Sequence, residues 1–318
     1  MVLAELNTRG PQSKPLEDGE LVCHGLTKVY SASLDKKALD GLSLRVKARG
    51  IFSLIGMNGA GKTTLVRILA TQLEPTGGDA QIRGMDVVRD AKKLREIIAS
   101  IPQEARTIPW MTPMQTVGSY LLWRGVPLSE GRSRAAEALA KVGIEGQRDT
   151  LNRKLSGGQR RKVMVAAVLA ADSEITFLDE PTTGLDPISR KELWRSLEEL
   201  SRSHFLVLTT HYLEEAEQLA DTIAILDRGR LASMGTLDQL RSLVKHQYSI
   251  RLPAGVEIPE VKDGTVTTGS EGQTQILTGE EEAYALSAEL LRAGARISVS
   301  RISLDDIFFH FIGEQGGK

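Results

Sequence analysis

From residue 20 to about 50 the chain alternates apolar and polar positions, in LVCHGLTKVY and again in ALDGLSLRVKARG. A period of two predicts strands joined by loops. The pattern then changes. GIFSLIG, 50–56, is an apolar run that ends in glycine, as a buried strand entering a turn would. TTLVRILATQL, 63–73, puts Leu65, Ile68, Leu69 and Leu73 on one side at helical spacing. A mostly helical stretch follows from about 90 to 155, interrupted by IPQEARTIPWMTP at 101–113. Beyond it the pattern predicts a helix after SGGQ, a strand in ITFLD, a helix from Ser189 to Arg202 and a strand in FLVLTT. A helix in LEEAEQLA and strands in TIAILD and RLASM complete this body, and Gly235-Thr236 opens a short helix, TLDQLRSLVK. Strands that alternate with helices predict a largely parallel sheet covered on both faces, an α/β fold.

From about 247 the texture differs. QYSIRL and TQILT read as strands, and EEEAYALSAELLRAGA as an amphipathic helix with Ala283, Leu286, Leu290 and Ala293 inward. Strand-like RISVSRI and helix-like SLDDIFFHFIG close the chain. The expected organisation is a leader at 1–19, one large body at 20–240 with a helical part at about 90–160, and a small α+β domain at 247–313.

Composition narrows the class. The 318 residues are 41% hydrophobic and 25% charged, with a mean hydropathy of −0.16, as in soluble globular proteins. A net charge of −1 gives no reason to expect a nucleic-acid partner. A single cysteine, Cys23, excludes an internal disulfide, and His24, His204, His211, His246 and His310 have no metal-ligand spacing. The longest clean apolar run, VMVAAVLAA at 163–171, is far short of the ~18 residues that read as a membrane span. The leader carries Glu5, Pro11 and Pro15, unlike a secretory signal. A cytoplasmic location is expected.

The chemistry begins at the glycine turn. Gly56, Gly61, Lys62 and Thr63 match G-x-x-x-x-G-K-[ST] between a strand and a helix, the phosphate-loop arrangement. Glycine lets backbone N–H groups converge on phosphate oxygens, Lys62 supplies positive charge to the β- and γ-phosphates, and Thr63 offers a hydroxyl to Mg²⁺. Asn58, Gly59 and Thr64 belong to the same loop and helix start. Further on, ITFLDE ends an apolar strand in Asp179, whose carboxylate can hold the Mg²⁺ shell through water. Glu180, next to it, can polarise an attacking water. ATP and Mg²⁺ are the expected substrate and metal.

LSGGQ, 155–159, comes between these two motifs, and with it the chain from about 21 to 240 resembles the nucleotide-binding subunits of ATP-binding-cassette (ABC) proteins. The family's other motifs occur in the family's order: Gln103 before LSGGQ, then Asp179-Glu180, Gly184-Leu185-Asp186-Pro187 and His211. The resemblance implies a P-loop ABC-type domain with a mostly parallel sheet, an antiparallel β edge and an inserted helical subdomain. It further implies that Gln103 senses Mg²⁺ and water, and that Ser156, Gly157, Gly158 and Gln159 close on ATP held by a second copy. Asp186 would lie across the dimer seam, His211 would touch the γ-phosphate and Tyr30 would stack on adenine. Taken singly, Gln103 and Asp186 also fit surface polar roles, His211 a helix-start histidine and Tyr30 an edge-strand aromatic. Two departures are small: Met57 stands where the family commonly has proline, and Thr176 interrupts an otherwise apolar strand.

Transport is the expected job. No long coiled coil separates Gln103 from Leu155, and one cassette is present. IPWMTPMQTVGSYLLWRGV, 108–126, concentrates Trp110, Trp123, Met111, Met114 and Tyr120 where the family receives a short helix of its membrane partner. The cassette followed by a short α+β domain resembles the ATP-binding subunits of ABC-2-type exporters, the daunorubicin-resistance type among them. That implies a homodimer of this chain, integral membrane permease subunits and a peripheral position on the cytoplasmic face of the cell membrane. The competing expectation is an ABC ATPase that acts on a ribosome, DNA or an assembly complex. Cargo identity and the role of 247–313, dimer stabilisation or regulation, stay open in the sequence.

Overall fold

The computed structural model describes residues 19–30, 37–268 and 273–313. The expected leader lies outside the described residues except for Gly19. The alternating segment forms β1 (Glu20–Val29) and β2 (Lys37–Lys47), paired antiparallel. Leu42, Leu44 and Val46 are buried while Ser43, Arg45 and Lys47 are exposed, the period-two pattern of a sheet with one wet face. β3 (Gly50–Ile55) is buried from Ile51 onward, and α1 (Lys62–Leu69) follows. Leu73, expected on the face of this helix, lies beyond its end.

β4 (Gly77–Ile82) and β5 (Met85–Asp86) complete a four-stranded antiparallel sheet in the order β2-β1-β4-β5. Neither strand is signalled locally, because Gly77, Gly78 and Asp79 are poor strand formers whose pairing with β1 decides the matter. A second difference lies in the stretch expected to be helical. After α2 (Ala91–Ile97) comes a strand, β6 (Ile98–Ile101), with Ile98, Ala99 and Ile101 buried. A short apolar run reads equally as strand or helix until its neighbour is known. Helices α3 (Pro113–Trp123), α4 (Leu128–Lys141) and α5 (Gly157–Ala171) then form the expected helical part.

β7 (Ile175–Asp179) runs parallel to β6 on one side and to β8 (Phe205–Thr210) on the other. Thr176 sits in β7 only 1% exposed. Between them α6 (Pro187–Ser201) starts earlier than the pattern suggests, because Asp186 caps it and Pro187 fits its first turn. α7 (Leu213–Leu219), β9 (Thr222–Asp227), β10 (Arg230–Gly235) and α8 (Leu237–Ser242) follow. The central sheet has six strands in the order β10-β9-β3-β8-β7-β6. This is the α/β architecture expected.

Two compact units divide the chain: Met1–Phe52, Asn58–Thr209 and Arg228–Arg230 form one, and Ser53–Met57, Thr210–Asp227 and Leu231–Lys318 the other. The second contains the remaining elements, β11 (Tyr248–Leu252), β12 (Gly264–Thr268), β13 (Thr274–Thr278), α9 (Glu280–Arg292), β14 (Ser298–Arg301) and α10 (Leu304–Gly313). Its four-stranded antiparallel sheet runs β12-β13-β11-β14. Ala283, Leu286 and Leu290 of α9 cluster with Ile250, Leu252 and Ile276 of that sheet. Ala293, expected inward, is exposed, because the helix has ended and Ala293 is its C-cap. Leu304, Ile307 and Phe308 of α10 instead share a core with Ala216, Ile223, Ile225 and Leu240 from α7, β9 and α8. Glu217 fixes that packing: it accepts the Leu304 N–H at 3.1 Å and the Arg241 guanidinium at 2.8 Å, while Arg241 Nε donates to the Ile302 carbonyl at 3.0 Å.

Among the described residues no helix is long and apolar enough to cross a membrane. Cys23 is buried in β1, and burial pushes its thiol up to about 12. Native protein is therefore expected to resist iodoacetamide at pH 8, by intact mass, and to be alkylated once denatured. Rapid labelling of native chain would show that β1 is not held as described.

Candidate active site

A cleft of about 490 Å³ is lined by Tyr30, Ala38, Asn58–Thr64, Gln103 and Glu180. It thus gathers residues from the segment just after β1, from β2, the glycine turn and α1, and from the loops that follow β6 and β7. Parallel strands deliver their carboxyl ends to one edge of a sheet, which is why motifs distant in sequence meet there. Gly56 follows β3 at the start of the turn. Gly61 has φ of 102°, and a Cβ there would lie 2.5 Å from the Ala38 carbonyl oxygen. Only glycine allows the turn to pass that close to β2.

Lys62 is buried at 6% exposure at the first position of α1. Burial pushes its ammonium pKa down, and the charges of Glu180 and Asp179 hold it back up. Thr63 Oγ1 donates to Asp179 Oδ1 at 3.3 Å, and Thr209 Oγ1 donates to the same oxygen. The Tyr30 hydroxyl lies 3.3 Å from Thr64 Oγ1, and Lys28 Nζ sits 5.7 Å from the Tyr30 ring centre. Tyr30 as a whole is 39% exposed.

Glu180 is the most constrained member. It follows β7 with φ of 50°, a left-handed conformation that is costly for a residue with a Cβ. Its N–H is shared by the Thr209 carbonyl at 3.1 Å and Thr209 Oγ1 at 3.0 Å. Its Oε2 accepts from Gln103 Nε2 at 3.1 Å and from Thr183 Oγ1 at 3.1 Å. The sheet therefore turns sharply at Glu180 and aims one carboxylate oxygen at two donors beside the phosphate loop.

The residues expected to act in a second copy's site are not part of this cleft. Ser156 caps α5: its Oγ accepts the Gln159 N–H at 3.1 Å while Gln159 Oε1 accepts the Ser156 N–H at 2.9 Å. Gly157 has open space where a side chain would stand, and a Cβ on Gly158 would lie 3.1 Å from Leu185 and 3.2 Å from the Gly184 carbonyl. Asp186 Oδ1 accepts the N–H groups of Ile188 at 3.1 Å and Ser189 at 3.0 Å, and these bonds lower its pKa. His211 lies just after β8, its ring 4.1 Å from that of Tyr212. Gly157, Gly184, Gln103 and Glu180 do line a second cleft of about 1000 Å³, together with Arg160 and Arg161.

Sequence reading missed Thr183, Thr209 and Arg161. Thr209 ends an apolar run like any strand-end polar residue, and Thr183 stands in the turn-like stretch Asp179–Gly184 with nothing to mark it. Arg161 spends its donors on backbone carbonyls, so no side-chain motif partners it.

Residues 39–183 match the family described as ABC transporter. The chain is 36% identical over 94% of its length to the daunorubicin resistance ATP-binding protein DrrA3 of Streptomyces coeruleorubidus, covering 98% of that protein. It is 33% identical to the doxorubicin resistance ATP-binding protein DrrA of Mycobacterium tuberculosis, over 92% of this chain and 90% of that one. Among solved structures, a dimeric ATP-binding cassette in a post-hydrolysis state with ADP and phosphate superimposes with a TM-score of 0.63 at 26% identity, covering 68% of this chain and 98% of that one. A phosphate loop, a strand-end Asp-Glu pair and near end-to-end likeness to such subunits lead to one assignment: the chain belongs to the ATP-binding subunits of ABC transporters and is an ATPase.

Proposed function

We propose that this chain is the ATP-hydrolysing subunit of an exporter, in which ATP-driven closure of a dimer powers efflux through separate membrane subunits. The observation that carries the proposal is the division of its site. Tyr30, the phosphate loop and Glu180 line one cleft, whereas the N-terminus of α5 at Ser156–Gly158 is outside it. A helix start with free N–H groups is an anion site, and a second copy's γ-phosphate is the anion that the family resemblance supplies. Two copies packed head to tail then enclose two nucleotides, with Asp186 of each at the seam.

In the enclosed site Tyr30 stacks on adenine. Backbone N–H groups of Asn58–Thr64 and the Lys62 ammonium take the β- and γ-phosphates. Glu180 accepts a proton from the attacking water, Gln103 helps to hold that water, and His211 contacts the γ-phosphate. The donor set of Thr63, Gln103 and Asp179 is all oxygen, which suits Mg²⁺, and Thr63 and Asp179 are already hydrogen-bonded to each other. When bound there, Mg²⁺ neutralises phosphate charge. Water exclusion strengthens each of these contacts, so ATP favours the closed pair and hydrolysis releases it.

The membrane partner would dock on the helical part. Trp110 is 75% exposed and Trp123 80%, with Leu122 and Ile108 also at the surface. Trp123 and Tyr120 line a groove of about 990 Å³ beside Pro102, just before Gln103. Large exposed aromatics next to the glutamine loop suit an inserted helix of a permease subunit. The chain would then sit on the cytoplasmic face of the cell membrane.

The test searches the adjacent reading frames for a protein of about six ~20-residue apolar spans and co-expresses it with this chain; finding none would itself count against export. The parent is expected to co-purify in detergent. Trp110→Glu/Trp123→Glu should lose the partner, with a drop of at least about 30-fold in apparent affinity as two anchors are removed, while the isolated chain still hydrolyses ATP. Co-purification with ribosomes, and none with the membrane protein, would overturn the exporter reading.

A further inference from the structure

In the proposed cycle Tyr30, the phosphate loop, His211, Ser156–Gly158 and Asp186 contact nucleotide or a neighbouring chain. Arg161 does neither, yet it reaches the backbone of both side chains proposed to handle water. It lies on α5, just past the cap formed by Ser156 and Gln159. Its Nη2 donates to the Asp179 carbonyl and, at 2.9 Å, to the Glu180 carbonyl. Its Nε donates to the Pro181 carbonyl at 3.3 Å, and its Nη1 to the Gln103 carbonyl at 3.4 Å.

These acceptors share a cause. β7 pairs with β8 only as far as Asp179, where its partner is Thr209. Glu180 then turns left-handed and proline follows at 181, so the chain leaves the ladder in a conformation that regular pairing cannot stabilise. Three successive carbonyls, of Asp179, Glu180 and Pro181, face one guanidinium. Thr209 grips the other side of the same turn through the Glu180 N–H. A residue in so strained a conformation stays there only if its surroundings over-determine it, and Arg161 and Thr209 do so from opposite sides.

The fourth bond adds the second half. Arg161 ties the Gln103 backbone to that turn, and Gln103 Nε2 is one of the donors to Glu180 Oε2. One planar, permanently charged group thus holds both ends of the Gln103–Glu180 contact. Lysine could not reproduce this fork, because its ammonium is a single point with rotatable donors.

We propose that Arg161 is a positioning residue of the ATPase, holding the Glu180 turn and the Gln103 loop in register so that Glu180 meets the attacking water. The proposal rests on Glu180 acting as the general base. Misplacement of a base by about 1 Å can cost on the order of 100-fold in rate, whereas nucleotide contacts at Lys62 and Tyr30 would be untouched.

The test is a cycle on the full chain: parent, Arg161→Met, Glu180→Gln and the double variant, followed by release of labelled phosphate. Arg161→Met is expected to lower kcat by about 10- to 100-fold and leave KM for ATP within about two-fold. Arg161→Lys should recover part of the loss. In the Glu180→Gln background the same Arg161→Met change should alter the residual rate by less than about two-fold, because there is no base left to place. Equal fold losses in both backgrounds would overturn the proposal, as would a parent-like kcat or a KM that rises in step with the fall in kcat. If Arg161→Met does not purify folded, the cycle is run with Arg161→Lys; if neither folds, Arg161 is a structural strut and the proposal fails. Glu180→Gln at the parent rate would refute the base reading instead, and that result needs no Arg161 variant.

Discussion

Glu180→Gln is expected to bind ATP like the parent and to hydrolyse it about 10²- to 10⁴-fold more slowly, the usual worth of a general base. The substitution suits the site because glutamine keeps the shape of glutamate. Its Oε1 can still accept from Gln103 Nε2 and Thr183 Oγ1, which hold the carboxylate at 3.1 Å each. The left-handed turn stays fixed through the Glu180 backbone, whose N–H is held by Thr209. Only proton acceptance is lost. With hydrolysis blocked and ATP still enclosed, the closed pair should accumulate. A doubling of apparent mass on sizing chromatography with ATP present, absent with ADP, would report it. Parent-rate turnover would remove Glu180 from the mechanism, and slow turnover without a dimer would break the link between enclosure and hydrolysis.

Lys62→Ala is expected to weaken ATP binding by about ten- to a hundred-fold, from the ~1.5–3 kcal/mol that a hydrogen bond to a charged group contributes. Lys62 is buried beside two carboxylates, Asp179 and Glu180. Its removal takes away a phosphate partner and also leaves those acids to repel the incoming phosphates. A pH signature accompanies the loss. Burial lowers the Lys62 pKa in the free chain, whereas bound phosphates would raise it. The complex therefore holds more protons than the free chain between those two values, so ATP affinity should fall as pH rises into the alkaline range. That slope should vanish in Lys62→Ala. Fluorescent-nucleotide titrations at several pH values measure both effects; unchanged affinity in the variant would exclude Lys62 as a phosphate ligand.

Most of the candidate cleft was legible from order and spacing. The phosphate loop needs strand, glycine turn and lysine in immediate succession, and Asp179-Glu180 needs an apolar strand before it. Such local constraints leave a readable trace whatever the rest of the fold does. The helix after the signature residues was legible for the same reason, whereas its capping by Ser156 and Gln159 emerged only from the structure. The strands β4 and β6 were not. Gly77–Ile82 is too glycine-rich and Ile98–Ile101 too short for periodicity to decide, and each becomes a strand because a partner, β1 or β7, is waiting for it. The end of α9 at Ala293 and the seat of α10 against α7, β9 and α8 are likewise results of packing.

By itself, then, the sequence carried the order of the parts and the chemistry proposed for them: a glycine loop of the phosphate-binding pattern, a strand that ends in acid, and a helix that starts at the signature residues. Tertiary structure alone decided how those parts are held. It placed Glu180 in a left-handed turn, set Thr183 and Gln103 on one of its oxygens, and brought Arg161 across to the carbonyls behind it. The physical reason is that these restraints join side chains to backbone groups far away in the chain. A backbone carbonyl is the same in every residue, so a donor that seeks one leaves no mark in the order of amino acids.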